Sequence, residues 1–269
     1  MLKMAVNFCP VILMSFFFSA FLSCSSISSG VTNLIISDED EVELGNKFKT
    51  EILAKRDSFP VHRDQVIKNY VDSIGQVIAS SQQDRRTIDY TFTVIDKDVI
   101  NAFAIPGGHV FVYAGLIRAC RNEAELAGVI AHEVGHITKR HSMQKMVQLY
   151  GAQFLLDILL GDEGKLTQVV AGLTTNLLLL DYGRANEFEA DSLSVEYSIL
   201  AGYNPRGIET FLTLLDEQSE DGGFFQFLST HPETGKRVER VKGLVERKGE
   251  NLSEELFYEA NFSGYRGRL

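Results

Sequence analysis

Apolar residues recur at a helical spacing over most of this chain, and the pattern becomes strand-like only between residues 89 and 113. In the first part, a charged helical pattern covers residues 38–56 and an apolar one covers residues 61–80, so both predict scaffold helices. In the strand-like part, β-branched and aromatic residues predict one strand over residues 89–95 and then a hairpin whose arms flank Pro106-Gly107-Gly108. The pattern therefore predicts a small sheet set among helices.

A long helix is predicted to begin at Asn122, because Glu125 three residues later completes a helix-cap pattern. No Gly–Pro turn signal follows before Gly151, so this helix is predicted to continue to about Tyr150. Further helices are predicted over residues 152–160, 165–182, 184–200 and 232–246, with another beginning at Asn204. The first two of these are apolar but short, which favours core helices or a mobile cover over membrane spans. The fold class predicted is α+β, mostly helical, with the small sheet packed beside the long helix.

Composition narrows the class of protein. The 269 residues are 45% hydrophobic and 23% charged, which is typical of a folded domain and argues against disorder. A formal net charge of -10 opposes the basic surface that phosphate binding needs, so nucleic acid is not expected as a partner. The three cysteines, Cys9, Cys24 and Cys120, are placed in a way that excludes a disulfide framework.

The first 23 residues have the layout of an export signal, with Lys3 before an apolar stretch that ends at Ser23. The Ser23-Cys24 pair resembles the lipobox of bacterial lipoproteins, which implies that Cys24 is acylated and becomes the first mature residue. Residues 24–37 then predict a flexible tether before a folded domain over residues 38–269. The expected location is the periplasm, anchored to a membrane and with the outer membrane favoured. Ordinary secretory cleavage and an uncut membrane helix are the alternatives.

The strongest chemical feature is His132-Glu133-Val134-Gly135-His136, inside the predicted long helix. Residues four apart differ by about 40° around a helix, so both imidazoles project from one face and can share one zinc ion. Glu133 lies about 100° from His132, beside the metal, where a carboxylate can take a proton from the attacking water. The apolar residues around this pattern would bury the site.

A catalytic zinc ion needs a third protein ligand, and the predicted helix over residues 184–200 offers three acidic candidates. Glu187 and Asp191 are four residues apart and share a face. Either can be the third ligand, and the other can then accept a hydrogen bond from a ligand histidine. Glu189 is displaced by about 200° from Glu187 and is predicted to be a solvated or scaffold charge.

Taken together, these motifs resemble the HtpX-like and CAAX-prenyl-protease-like zinc metallopeptidases. The matching segments are His132–His136, Glu187–Asp191 with a Glu-x-x-x-Asp spacing, Asn101–Gly108, and Thr230-His231-Pro232 followed by Arg237. The resemblance implies a zincin-type fold with one zinc ion per chain, held by His132, His136 and Glu187, and with Asp191 as a supporting hydrogen-bond acceptor. It also implies the short bacterial lipoprotein type of this family.

The resemblance implies that His231 faces the zinc. There it would donate a hydrogen bond to the oxyanion of the tetrahedral intermediate, or occupy the open coordination position and keep the enzyme inactive. The alternative is a purely structural role at the start of the following helix. Arg237 would orient His231 or bind the peptide, unless it is a surface charge. His141 is nine residues from His132, a rotation of about 180°, and is predicted to face away from the metal. His62 and His109 are predicted to be a scaffold residue and a strand-end residue.

The strand formed by Asn101, Ala102, Phe103 and Ala104 is predicted to bind substrate, since proteases commonly hold peptides extended by adding them to a sheet edge. A fully internal hairpin is the alternative. We interpret the chain as a zinc metalloendopeptidase, with Glu133 and His231 as catalytic residues and misfolded or misassembled cell-envelope proteins as substrates. Its other expected partners are a membrane, through the lipid anchor, and the envelope assembly machinery.

Two other functions compete with this interpretation. A non-proteolytic assembly or holding factor could use the same cleft, although holding would not require Glu133. An integral prenyl-protein protease would need several long apolar spans, which the sequence does not contain.

Overall fold

The structure, a computed structural model, describes residues 36–85, 87–175, 182–217, 225–232, 234–248 and 254–269. The predicted export signal, Cys24 and most of the predicted tether lie outside the described residues. The last two tether residues, however, are part of the fold. Ile36 is fully buried, and Ser37 forms a capping box with Asp40 at the start of the first helix.

The described helices and strands confirm the predicted α+β, mostly helical fold class. The strands are β1 (Thr91–Ile95), β2 (Ala102–Ile105) and β3 (His109–Tyr113). The helices are α1 (Asp38–Ala54), α2 (Gln65–Ser81), α3 (Ala114–Ala119), α4 (Glu123–Thr138), α5 (His141–Tyr150), α6 (Ala152–Leu159), α7 (Glu163–Thr175), α8 (Arg184–Leu200), α9 (Arg206–Glu217), α10 (Phe225–Thr230), α11 (Thr234–Lys248) and α12 (Glu259–Arg266).

The three strands form one sheet in the order β1-β3-β2. The predicted hairpin is present as the antiparallel pair of β2 and β3, in which Phe103 lies opposite Phe111. β1 pairs with the other side of β3 in parallel, with Thr93 opposite Phe111. β2 is therefore an edge strand of this sheet.

The sheet is the middle layer of the domain, because its alternating side chains enter two different apolar clusters. Val110 and Val112 of β3 pack in a cluster with residues of α2, α4 and α9. Phe111 of the same strand and Phe103 of β2 pack in a second cluster with residues of α1, α6 and α7. Burial on both faces explains why the strands read as continuous apolar runs.

Helix α4 is the centre of the fold, since each of its residues from Glu123 to Thr138 is buried. Asn122 caps it by accepting a hydrogen bond from the Glu125 N–H at 2.9 Å. Helix α8 packs closely along α4: a Cβ added at Gly135 would lie 3.3 Å from the Ala190 Cα, which is tighter than ordinary van der Waals contact. The close approach of these two backbones lets side chains from facing turns meet.

The prediction of one helix from Asn122 to Tyr150 is wrong. α4 ends at Thr138, Arg140 adopts a left-handed conformation with φ of 58°, and α5 begins at His141. The cause is a long-range ion pair: the Arg140 Nε lies 2.7 Å from Glu41 Oε2 on α1, and its Nη2 donates to the Ile36 carbonyl at 2.8 Å. These contacts offset the cost of about 1–2 kcal/mol that a left-handed residue carries.

Among the described helices, none combines the length and apolar character that crossing a bilayer requires.

Candidate active site

Helix α4 brings the two predicted ligand histidines together. His132 and His136 lie one turn apart on the same face, and their Nε2 atoms are 3.0 Å from each other. Both side chains are almost completely buried. Their rings meet edge to face, with centroids 4.7 Å apart. Two imidazole nitrogens thus converge on one point.

Helix α8 supplies a carboxylate at the same point. The oxygens of Glu187 lie 3.5 Å from His132 Nε2 and 3.4 Å from His136 Nε2. Burial alone would raise the pKa of Glu187. The electrostatic attraction of His231 and Arg237, with hydrogen bonds from the two histidines, holds that pKa well below its usual value. Glu187 is therefore ionised, as a metal ligand has to be.

The donor atoms fit a zinc ion. The two histidine Nε2 atoms are 3.0 Å apart, and one oxygen of the Glu187 carboxylate faces each of them, at 3.5 Å (Oε2 to His132) and 3.4 Å (Oε1 to His136). These separations are close to the roughly 3.3 Å between donor atoms that bonds of about 2.0–2.1 Å in a tetrahedron would give. Two histidines and one glutamate are a donor set typical of catalytic zinc sites. A ligand atom of His231 lies in the same group, in which the four candidate atoms are all within 4.8 Å of one another.

Asp191, one turn after Glu187, lies behind His132. Its Oδ1 is 3.0 Å from His132 Nδ1, the ring nitrogen that faces away from the other ligands. Burial alone would lower the pKa of His132, but Asp191 and Glu187 raise it to about 9. Burial lowers the pKa of His136 well below its ordinary value. Since zinc needs two neutral imidazoles, metal binding at neutral pH would release a proton from His132.

Arg237 neutralises the carboxylates of the site from helix α11. Its Nε and Nη2 donate to the two oxygens of Asp191 at 2.8 and 2.7 Å, and its Nη1 lies 2.9 Å from Glu187 Oε2. The side chain is fully buried, so it is not the surface charge considered as an alternative. Burial would raise the pKa of Asp191, but Arg237 keeps it below its usual value. A bidentate arginine suits this geometry better than a lysine would.

Glu133 is a buried carboxylate without a hydrogen bond. Both of its oxygens lack a hydrogen-bond partner among the described residues, and His231 Nε2 is 3.5 Å from Oε1. Burial raises the pKa of Glu133. An unsatisfied buried carboxylate is costly for stability, and a raised pKa suits a group that accepts and returns a proton.

His231 lies between the carboxylates of Glu187 and Glu133. Its Nδ1 is 3.2 Å from both oxygens of Glu187. Its ring meets that of His132 edge to face at 5.2 Å between centroids. Arg237 also contacts this segment, because its Nη1 donates to the His231 carbonyl at 3.2 Å. Thus Arg237 orients both the acidic residues and the backbone that carries His231.

The strand proposed to bind substrate lies at the sheet edge but is buried. Asn101, Ala102, Phe103 and Ala104 are each at most 1% exposed. Side chains already bond its outward backbone groups: the Ala102 N–H donates to Asn101 Oδ1 at 3.0 Å, and the Ala104 carbonyl accepts from Ser142 and Tyr182 hydroxyls, each at 3.1 Å.

His141 does not face away from the metal site, so that prediction is wrong. Its Nδ1 lies 2.9 Å from His136 Nδ1. The rotation of about 180° assumed a continuous helix, and the turn at Arg140 breaks it. The basic run Lys139-Arg140-His141 was the available signal, since basic residues are typical of a helix C-terminus.

Tyr182 is a further neighbour of the site that sequence reasoning did not identify, and Glu189, predicted as a solvated or scaffold charge, also lies beside it. Glu189 is half-exposed on α8, and its Oε2 lies 3.3 Å from His141 Nε2. The ring of Tyr182 stacks on His136 with centroids 4.0 Å apart. Spacing gives no signal for Tyr182, which precedes α8, or for the contact of Glu189, which depends on where the turn at Arg140 places His141.

His62 and His109 lie outside the group of candidate ligands. The Nδ1 of His62 accepts from the Asp64 N–H at 3.2 Å, just before α2. His109 is the first residue of β3, and its Nδ1 is 2.9 Å from Thr91 Oγ1. Burial lowers the pKa of His109 to about 4, so it is neutral at physiological pH.

The sequence of this chain is similar to those of known peptidases. The sequence profile described as peptidase family M48 matches residues 66–245. The beta-barrel assembly-enhancing protease of Escherichia coli (strain K12) is 31% identical over 210 residues, which are 73% of this chain and 42% of that protein. The mitochondrial metalloendopeptidase OMA1 of Schizosaccharomyces pombe is 33% identical over 153 residues, 55% of this chain and 44% of that protein. The chain thus spans less than half the length of these curated relatives.

Replacing Arg237 by Leu should lower the free energy of unfolding by about 3–5 kcal/mol, because it leaves the Asp191 and Glu187 charges buried without their cation. Urea denaturation in the presence of a chelator measures this effect without a contribution from bound metal. Arg240 on the same helix is the matched control. It is exposed and lies 4.9 Å above the Phe188 ring, so Arg240→Leu should cost less than about 1 kcal/mol. Equal costs for the two variants would contradict the role assigned to Arg237.

Proposed function

The chain belongs to peptidase family M48, and from this premise we propose that it is a zinc-dependent metalloendopeptidase that hydrolyses proteins of the cell envelope. The observation that carries the proposal is the buried group of His132, His136 and Glu187, with Glu133 unpartnered beside it. A site built only to hold metal for structural reasons is usually closed by four ligands and has no need of an idle carboxylate.

In the proposed mechanism His132, His136 and Glu187 would hold a zinc ion, which would supply Lewis acidity to the scissile carbonyl and lower the pKa of the attacking water. Glu133 accepts the proton of that water and later gives it to the leaving amine. Burial raises the pKa of Glu133, which makes its carboxylate a better proton acceptor than an exposed glutamate. Asp191 holds His132 in the tautomer that leaves Nε2 free for the metal.

We propose that His231 acts at the same site in one of two ways. Its Nε2 has no hydrogen-bond partner among the described residues, which supports a role as the hydrogen-bond donor to the developing oxyanion. The contact of its Nδ1 with Glu187 supports the opposite role, that of a fourth metal ligand that keeps the enzyme inactive. Both roles require the fixed loop that Arg237 provides.

Peptide substrates would bind by pairing with β2. The support is its edge position and the outward direction of the Ala104 carbonyl. A peptide N–H would replace the hydroxyls of Ser142 and Tyr182 there, exchanging hydrogen bonds of similar strength. Recognition through backbone groups tolerates many sequences, which suits unfolded or misassembled substrates. The name of the Escherichia coli relative supports envelope proteins as the substrate class and the assembly machinery as a partner.

We further propose that the chain is the short lipoprotein type of this family, close to its HtpX-like and CAAX-prenyl-protease-like members. The Asn101–Gly108 and Thr230-His231-Pro232 segments support that position in the family. The signal-like residues 1–23 and the Ser23-Cys24 pair support export, acylation and a tether to a periplasmic membrane surface, with the outer membrane favoured.

Glu133→Gln should lower kcat/KM on an unfolded protein substrate by about 10²–10⁴-fold while zinc content stays at one per chain, because only the proton acceptor is lost. Glu187→Gln should lower both activity and zinc content, which elemental analysis measures. Glu196→Gln changes an exposed glutamate of α8, the helix that carries Glu187, and is the control for both variants. Undiminished cleavage by Glu133→Gln would reject the mechanism. Full biological function of a cleavage-dead variant would favour the holding factor instead.

His231→Ala should change turnover by at least tenfold, because the side chain touches both Glu133 and Glu187. A fall would identify an oxyanion donor, and a rise would identify a blocking ligand. Steady-state kinetics on the same substrate distinguishes these results. A rate like that of the wild type would leave His231 with a purely structural role.

Cys24→Ser should move the protein from the membrane to the soluble fraction, because the acyl chains provide most of its membrane affinity. Cell fractionation with immunoblotting measures the distribution. Cys9→Ser changes a cysteine of the same N-terminal region that the lipobox pattern does not include, so it should leave the distribution unchanged. Continued membrane association of Cys24→Ser would indicate an uncut anchor.

A further inference from the structure

The two ligand histidines have different partners at Nδ1. His132 faces Asp191, a buried carboxylate fixed by Arg237. His136 faces His141 instead, with 2.9 Å between the two Nδ1 atoms. His141 in turn faces the half-exposed Glu189, with 3.3 Å between Nε2 and Oε2. A line of contacts therefore runs from His136 to the surface of α8.

The positions of the protons follow from this line. When His136 Nε2 binds a metal, its remaining proton is on Nδ1, which then donates to His141. His141 Nδ1 must accept, since two N–H groups cannot lie 2.9 Å apart with their hydrogens facing each other. The proton of a neutral His141 is then on Nε2, where the Glu189 carboxylate can accept it. Each contact in the line thus determines the tautomer of the next residue.

The fold holds His141 in place by contacts that do not involve the metal. The left-handed Arg140 directs the chain back toward α4, and Glu41 pairs with its side chain. Glu41 also pairs with the buried Arg85, which donates to the Ile137 carbonyl at 3.2 Å near the end of α4. His141 is only 2% exposed. Its ring is therefore positioned before any metal arrives.

We propose that His141 is a positioning residue that holds His136 in its zinc-binding tautomer, and that Glu189 holds His141 in the tautomer able to do so. The inference rests on the proposed zinc site and adds two residues to it. On α8, Glu187 would then bind the metal. Glu189 would support His136 through His141, and Asp191 would support His132 directly.

A pair of nearly isosteric substitutions tests the role of His141. Asn places Oδ1 near the position of the lost Nδ1 and keeps an acceptor, whereas Leu has a similar size and no acceptor. We expect His141→Leu to weaken zinc binding by about 10–100-fold and His141→Asn by less than about threefold. Competition with a chromophoric chelator on the purified full chain measures the dissociation constants. Equal zinc affinities for the Leu variant and the wild type would overturn the proposal.

Glu189→Ala tests the outer residue without disturbing the core. We expect zinc to bind about five- to tenfold more weakly, because His141 is no longer held in one tautomer. Glu196→Ala removes another half-exposed glutamate of α8, paired with Lys248 at 3.0 Å, and should leave the affinity unchanged. Identical effects of these two variants would contradict a specific role for Glu189.

A long-range ¹H–¹⁵N spectrum of the zinc-loaded protein provides a readout that a purely structural role would not affect. It should show the proton of His136 on Nδ1 and that of His141 on Nε2, and the opposite assignment for His141 would overturn the proposal. Thermal melting of the metal-free variants reports whether His141→Leu still folds. If it does not, the His141→Asn and Glu189→Ala variants and the spectrum test the proposal. Failure of the wild type to bind zinc would instead reject the proposed function itself.

Discussion

The arrangement of this site depends on removing three carboxylates from water within one small volume. Glu133, Glu187 and Asp191 are each completely buried. Burying an unpaired charge costs several kcal/mol, so the fold has to bring a cation to the same place. Arg237 does this from α11, a helix far along the chain, and contacts two of the three carboxylates. The third, Glu133, is left without a hydrogen bond among the described residues, and burial raises its pKa.

Local spacing predicted the parts of the site that lie on single helices. His132 and His136 share a face of α4, and Glu187 and Asp191 share a face of α8, because four residues make about one turn. Spacing left Glu187 and Asp191 interchangeable. In the structure they differ in what they face: Glu187 lies opposite the Nε2 atoms of both histidines, whereas Asp191 lies behind His132 at Nδ1 with both oxygens bound by Arg237.

Spacing could not predict features that depend on residues distant in sequence. The helix break at Arg140 is stabilised by Glu41, about one hundred residues earlier in the chain. No local pattern contains that partner, and so the continuous-helix interpretation put His141 on the wrong side. The sheet shows the same limit. Composition identified its strands and the hairpin, but the parallel pairing of β1 with β3 depends on how α2 packs over the sheet.

The different partners of the two histidines also affect their strength as ligands. A carboxylate acceptor makes the imidazole that donates to it more basic than a neutral imidazole acceptor does. In the proposed zinc site, His132, with Asp191 behind it, would therefore be the stronger donor to the metal, and His136, with His141 behind it, the weaker one. The pKa shifts follow the same order. Burial lowers the pKa of both histidines, but hydrogen bonds to Asp191 and Glu187 raise that of His132 to about 9, whereas that of His136 lies well below its ordinary value. In the proposed zinc site, a weaker ligand would leave more positive charge on the bound metal, which is what polarising a carbonyl requires.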